Sequence, residues 1–188
     1  MPTLSAATRR LLSFVTLGVA AVPALAAQAG VPAPVRSVPS VDLTRYAGRW
    51  YEVARLPNFF QKKCARQTTA DYELLPDGKV RVINRCLRAD GTSMQAEGRA
   101  RLADPKGPAS RLKVRFAPAI LSFLPMVWGD YWILDLTDDY TVALVGDPGR
   151  KYLWILARTP RPADSLYQRM VATALAQGYD VTRLLRAP

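Results

Sequence analysis

Alternation of apolar and charged residues dominates the chain from residue 49 onward and predicts β-strands. In "RLKVRF", Leu112, Val114 and Phe116 alternate with basic residues, which is the period of a strand with one buried face. Turn sequences such as "PDGK" and "ADGT" separate successive runs, as in hairpins with short connections. The pattern predicts eight strands, which span residues 49–56, 67–75, 80–88, 93–102, 111–116, 130–136, 140–146 and 151–158.

The pattern changes near the C-terminus, where apolar residues recur at helical spacing. These residues are Tyr167, Met170, Val171, Ala174 and Leu175. They predict a helix over about residues 163–177, with Asp164 as its N-terminal cap and Gly178 after its end. The segment "VTRLL" after the helix predicts a short final strand.

Eight consecutive antiparallel strands and one helix favour an all-β fold. The expected architecture is an eight-stranded antiparallel up-and-down β-barrel with one C-terminal α-helix packed on the outside. Closure removes both edges of the sheet, and a barrel of eight strands encloses room for one small ligand.

The segment before the strands is predicted to lie outside this barrel domain, which spans residues 42–188. Arg9 and Arg10 precede an apolar run that ends in small residues, an order typical of a signal peptide, here residues 1–27. An uncleaved anchor is the alternative. A Pro-rich arm follows over residues 28–41. Because no cysteine follows the apolar run directly, we expect a periplasmic or secreted protein that is not a lipoprotein; association with the outer membrane is left open.

Two cysteines, Cys64 and Cys86, are present. In an exported chain they are expected to form a disulfide, because oxidising compartments preserve such bonds. Their predicted positions lie at the same end of adjacent strands, so a bridge is sterically reasonable. Two buried free thiols are the alternative.

The formal net charge is +11, which suits nucleic acid, an anionic lipid surface or simply a solvated face. The basic residues are spread singly along strands, and the sequence has no nucleic-acid motif, so we expect no nucleic-acid partner. The chain also has no histidine, which removes the usual general base, the usual zinc ligands and any Ser-His-Asp triad. We therefore expect no enzyme activity, no cofactor and no metal site.

Three segments resemble the signature regions of the lipocalins. They are "GRWYEVAR" with Gly48 and Trp50, "TDDY" at 137–140, and "YLWILARTP" with Arg158. The likeness covers about residues 40–186 and is greatest to the bacterial lipocalin and apolipoprotein D branch. Counting strand directions brings all three segments to one end of the barrel. There the Arg158 guanidinium is expected over the Trp50 ring, a structural contact that closes this end.

If Trp50 points inward, alternation assigns the lining of the cavity. The small inward residues of the fourth strand are expected to leave volume unfilled, and Glu52, Asn84, Tyr72 and Tyr131 to supply the polar groups. The predicted ligand-binding residues are Glu52, Ala54, Phe59, Tyr72, Val82, Asn84, Met94, Val114, Phe116, Tyr131, Ile133 and Trp154.

The resemblance implies a lipid-binding protein that carries or stores fatty acids or lysophospholipids, in transport or maintenance of envelope lipids. Two other interpretations stay open. One is a lipocalin-like enzyme that acts on a bound apolar substrate, with Glu52 as its acid, and the other is a protein-binding barrel without ligand.

One connection, residues 117–128, is unusually apolar and includes the run "AILSFLPMVW". Such a patch marks a partner or a membrane surface. Peripheral membrane contact through Ile120, Leu121 and Phe123, a homodimer surface and a lid over the mouth are all consistent with it.

Overall fold

The computed structural model describes residues 33–188, so the predicted signal peptide and the first part of the Pro-rich arm lie outside the described residues. A short helix, α1 (Leu43–Tyr46), comes first, and a longer one, α2 (Asp164–Ala176), follows the main strands. In the described part of the chain, no helix is long and apolar enough to cross a bilayer. The strands are β1 (Gly48–Arg55), β2 (Arg66–Leu74), β3 (Val80–Leu87), β4 (Ser93–Leu102), β5 (Arg111–Arg115), β6 (Gly129–Leu136), β7 (Val142–Gly146), β8 (Leu153–Ala157) and β9 (Leu185–Arg186).

The strands form one closed antiparallel barrel, as predicted. Each of β2 to β7 pairs with the next strand along the chain, β8 pairs with β1, and β1 pairs with β2. The predicted final strand begins later than expected, because Val181–Arg183 forms a 3₁₀ turn. The two residues of β9 then pair with Ala54 and Arg55 of β1.

The helix α2 packs on the outside of the barrel. Its buried residues Met170 and Ala174 join an outer apolar cluster with Leu144 and Ile155. The start of α2 differs from the prediction, because Ala163 occupies the N-cap position and Asp164 is the first helical residue. There the Asp164 carboxylate accepts a hydrogen bond from Arg186.

A second apolar cluster fills the lower part of the barrel interior. Trp50, Val82, Ile133 and Leu156 belong to it. Alternation predicts this inward orientation for each of them, and the clusters on the two sides of the sheet confirm it.

A bulge in β1 breaks the alternation. Glu52 lies opposite Leu156, but Ala54 lies opposite Ile155 and Arg55 opposite Trp154, so one residue of β1 is skipped. Ala54 therefore belongs to the outer cluster, and the prediction that it lines the cavity is wrong. The same shift turns Arg55 toward the interior, since its neighbour Trp154 packs on the inner cluster.

The predicted disulfide between Cys64 and Cys86 is present, with Cα atoms 5.5 Å apart. It joins the connection between β1 and β2, residues 56–65, to the upper end of β3. We call this connection the mouth loop. The opposite end of the barrel carries Trp50 and Arg158, so the disulfide fixes the loop at the open end.

Candidate functional site

The closed end of the barrel is built around Trp50, whose side chain is fully buried. The Arg158 guanidinium carbon lies 4.0 Å from the ring centroid, as the sequence predicts. The same guanidinium donates from Nη1 to the Arg49 carbonyl at 2.9 Å and from Nη2 to the Arg45 carbonyl at 2.8 Å. These contacts make Arg158 a structural clamp below the cavity.

Three tyrosines form the floor above Trp50. The Tyr131 hydroxyl lies 2.9 Å from the hydroxyls of both Tyr46 and Tyr72, and the Tyr46 ring lies 4.8 Å from that of Trp50. Burial raises the pKa of Tyr72 to about 12, and burial also raises the pKa of Tyr46 and of Tyr131 well above the ordinary value. The floor is therefore uncharged at neutral pH.

Tyr72 and Tyr131, two predicted polar groups for a ligand, are thus partners of each other in this floor. Tyr131 remains half-buried, so its ring borders the space above. Tyr46 was missed by the sequence analysis because it belongs to α1, which precedes the alternating pattern.

Exposure of the inner wall increases from the floor to the mouth. Val82 and Ile133 are buried, whereas Asn84, Met94 and Val114, which alternation also directs inward, are half-buried. The side chains of the inner wall are therefore more accessible toward the open end. Val82 and Ile133 belong to the inner cluster and Val114 packs against it, while the register of β3 and β4 puts Asn84 and Met94 on the same face of the sheet.

Phe116 occupies part of the volume that the small residues of β4 leave. A Cβ atom at Gly98 would lie 2.8 Å from the Phe116 ring. The ring therefore packs directly against the backbone of β4, although it stays 43% exposed. The unfilled volume expected beside β4 is consequently reduced by this side chain.

A polar cluster lies on the upper wall, on the β1 and β8 side. The buried Glu52 carboxylate accepts hydrogen bonds from Gln61 Nε2 at 2.6 Å and from Arg55 Nη1 at 3.1 Å. Gln61 Oε1 in turn accepts from Trp154 Nε1 at 2.9 Å and from Asn58 Nδ2 at 2.6 Å. Gln61 thereby fastens the mouth loop to two strands of the wall.

Burial raises the pKa of Glu52, and the hydrogen bonds from Gln61 and the charge of Arg55 oppose that effect only in part. Arg55 and Gln61 were missed by the sequence analysis. Arg55 was not predicted because the bulge places its side chain on the opposite face of β1 from the one that alternation assigns. Gln61 was not predicted because residues in a loop show no alternation.

Phe59 lies on the outer side of the mouth loop and lines a surface cleft of about 400 Å³ together with Lys151 and Arg183. Its neighbour Phe60 is the residue that turns toward the wall, with its ring centroid 6.1 Å from that of Trp154. The structure therefore does not place Phe59, the predicted lining residue, on the inner wall; Phe59 is 69% exposed, and Phe60 faces Trp154 instead.

The connection 117–128 is anchored to the outside of the barrel at its base. The guanidinium carbons of Arg101 and Arg115 lie 4.3 and 5.3 Å from the centroid of the Trp128 ring. Arg115 was expected on the solvated outer face, but it is buried because this connection covers it. Farther along, Ile120, Phe123 and Met126 are 80%, 76% and 85% exposed.

Within residues 33–188, no group of three or more His, Cys, Asp and Glu side chains is arranged to hold a metal ion. The inner wall instead combines an apolar surface with a small polar cluster, which is the general character of a site for an apolar ligand.

Comparison with known proteins gives a consistent result. The family described as a lipocalin-like domain matches residues 41–188. Temperature-induced lipocalin-1 of Arabidopsis thaliana is 43% identical over 152 residues, which cover 80% of this chain and 81% of that protein. Outer membrane lipoprotein Blc of Escherichia coli K12 is 37% identical over 180 residues, 94% of this chain and 96% of that protein. Apolipoprotein D of Rattus norvegicus is 36% identical over 142 residues, 71% of this chain and 70% of that protein.

Among solved structures, insecticyanin from the tobacco hornworm Manduca sexta superimposes with a TM-score of 0.63 at 21% identity, covering 85% of this chain and 86% of that one. Apocrustacyanin C2 gives a TM-score of 0.61 at 19% identity, with 78% of each chain covered. At these identities the likeness supports the fold alone.

Proposed function

The chain belongs to the lipocalin family, and we propose that it is an exported carrier that binds fatty acids or lysophospholipids in its barrel. The observation that carries this proposal is that the exposure of the inner-wall side chains increases along the barrel. The side chains are packed at the aromatic floor and partly accessible to solvent near the mouth. A lumen of this kind is closed at one end and accepts an elongated apolar molecule at the other.

The energetics suit an acyl chain. Each buried methylene contributes about 0.8 kcal/mol, so a chain of about sixteen carbons gains roughly 12 kcal/mol before the costs of association. Met94 and Val114 offer apolar surface at the accessible level of the wall. The uncharged tyrosine floor below them is compatible with the end of an alkyl tail.

Binding without chemistry is favoured over catalysis. Both oxygens of Glu52 accept hydrogen bonds from protein donors, so this carboxylate is held in place rather than directed at a substrate. The sequence also has no histidine, the side chain that most often transfers protons at neutral pH.

We further propose that the open end touches a membrane. The exposed side chains of Ile120, Phe123 and Phe59 share this end of the barrel with the exposed Lys62 and Lys63. Apolar side chains beside cations suit a bilayer that contains anionic lipids. An interface between two copies of the chain is the competing role for the same apolar residues.

We place the carrier in the cell envelope. Blc proteins of several bacteria are named outer membrane lipoproteins, which supports an envelope location. Those names give no support to the expectation that this chain lacks a lipid anchor, and the proposal does not depend on it.

The test of ligand binding uses palmitate and palmitoyl lysophosphatidylcholine with protein stripped of lipid. One molecule should bind per chain, as measured by native mass spectrometry. Replacing the inward Ala96 by Phe should block the lumen and abolish binding, whereas Gln95→Phe, one residue away on the outer face, should leave it intact. Absence of binding to the unaltered protein, or equal binding by both variants, would refute the carrier proposal.

The test of membrane contact is flotation with vesicles of phosphatidylethanolamine and phosphatidylglycerol. The double substitution Ile120→Ser and Phe123→Ser should release the protein from the vesicles. Leu175→Ser, which removes a comparably exposed side chain from α2, is the control and should have no effect. If flotation is unchanged while gel filtration shows a loss of dimer, the connection 117–128 serves self-association instead.

A further inference from the structure

The polar cluster of the upper wall contains a cation with unused hydrogen-bonding capacity. The bulge in β1 directs Arg55 into the barrel opposite Trp154, where its side chain is only 17% exposed. A guanidinium has five N–H donors and no acceptor. It therefore needs several oxygen atoms around it wherever water is scarce.

Only one of these donor atoms has a protein partner among the described residues. Nη1 donates to Glu52 Oε1 at 3.1 Å. The Nε atom of Arg55 is buried and has no partner. An unsatisfied buried donor destabilises the fold, and more so when the group is charged.

We propose that Arg55 is the binding subsite for the acidic group of the bound lipid, a carboxylate or a phosphate, inside the upper lumen. This inference rests on the proposed function and adds an orientation to it. The acidic group lies beneath the mouth loop, next to Arg55 and Gln61, and the tail extends down toward Tyr131.

The surface cations are weaker candidates for this role. Lys62 and Lys63 are exposed, and ion pairs in that setting contribute little to binding because water screens them. Arg55 is largely shielded from water, and its planar fork matches the two oxygens of a carboxylate or phosphate. Recognition of the acid is therefore expected inside the barrel.

Glu52 competes with the ligand for the same guanidinium. An acidic ligand next to Arg55 also lies close to the Glu52 carboxylate, and two like charges at that distance repel each other. Removing the charge of Glu52 should consequently strengthen binding of an acid, whereas removing Arg55 should weaken it. If Glu52 and Arg55 only stabilise the fold, the two substitutions are not expected to change the affinity for an acid in opposite directions.

The experiment compares three probes with the same sixteen-carbon tail: hexadecanoic acid, hexadecyl phosphate and the neutral hexadecan-1-ol. Dissociation constants are measured by calorimetry for the unaltered protein and for Glu52→Gln, Arg55→Met and the double variant. Glu52→Gln keeps the shape of the side chain and an acceptor for Gln61. Lys62→Met removes an exposed cation of the mouth loop and is the matched control.

We expect Glu52→Gln to tighten, and Arg55→Met to weaken, the binding of either acid about tenfold, the effect of one charge-assisted hydrogen bond. The alcohol should change by less than about twofold throughout, as should all three probes with Lys62→Met. The double variant, in which no charge is left unpaired, should lose the preference for acids as the single Arg55 variant does. Whichever acid depends more strongly on Arg55 identifies the head group as carboxylate or phosphate.

An acid-to-alcohol ratio that is the same in all variants, or weaker acid binding by Glu52→Gln, would overturn the subsite. In that case the alcohol still binds and the carrier proposal stands. Failure of all three probes to bind the unaltered protein would instead overturn the carrier proposal, and the subsite with it.

Discussion

Replacing Arg158 by lysine tests how the closed end of the barrel is held together. In addition to its contact with the Trp50 ring, the guanidinium donates to carbonyls of Arg45, Arg49 and Tyr140. These residues belong to α1, β1 and the β6–β7 turn. A lysine ammonium preserves the charge near the ring but is a single point, so it cannot reach all three carbonyls.

The expected magnitude follows from the hydrogen bonds that are lost. Lysine retains much of the cation–π attraction, but two or three hydrogen bonds disappear at about 1 kcal/mol each. The free energy of unfolding should therefore fall by roughly 2–3 kcal/mol, a large share of the stability of a typical domain. Urea titration measures this change as a shift of the midpoint at a constant slope.

A conservative substitution nearby provides the control. Arg161 is exposed, and Arg161→Lys should shift the midpoint by less than the equivalent of about 0.5 kcal/mol. If Arg158→Lys shifts the midpoint as little as Arg161→Lys does, the arrangement of the guanidinium donors does not stabilise the closed end. The structural role assigned to Arg158 would then be wrong.

Three further predictions concern the disulfide, the tyrosine floor and the wall of β4. Replacing both Cys64 and Cys86 by Ser should lower the free energy of unfolding by about 3 kcal/mol, since the bridge closes a sequence separation of 22 residues; urea titration with and without reductant measures it. The pKa of Tyr72 rises from 10.0 to about 12 on folding, so the folded state binds more protons between these values. The free energy of unfolding should therefore fall by up to about 3 kcal/mol as pH rises from 10 to 12, and spectroscopic titration should detect tyrosinate in the floor only after unfolding. Gly98→Ala would bring a methyl group 2.7 Å from the Arg115 carbonyl; it should cost about 1–3 kcal/mol, visible as a lower thermal midpoint.

The sequence predicted the barrel because alternation is uninterrupted in most of its strands. In β5, Leu112 and Val114 follow the expected pattern, and the register with β4 and β6 has no irregularity. The signature residues Trp50 and Arg158 could also be placed, since the order of strand directions alone brings them to one end.

The upper part of the site was harder to predict because tertiary structure decides it. Period-two alternation cannot reveal a bulge, so Ala54 and Arg55 were assigned to the wrong sides of β1. Arg115 looked like a solvated residue because only the folded connection 117–128 buries it. Gln61 lies in a loop, where the folded contacts with Glu52 and Trp154, and not its position in a pattern, define its role.

The pairing of β9 with β1 has a consequence for how the protein avoids polymerisation. β2 pairs with β1 only over Gly48–Tyr51, and β9 occupies the flank of β1 that remains, with Ala187 donating to the Val53 carbonyl at 2.8 Å. Without these last residues, that flank would expose backbone groups able to template another chain. The last residues therefore cover an edge that could otherwise pair with another chain, and we expect their removal by a protease to promote aggregation.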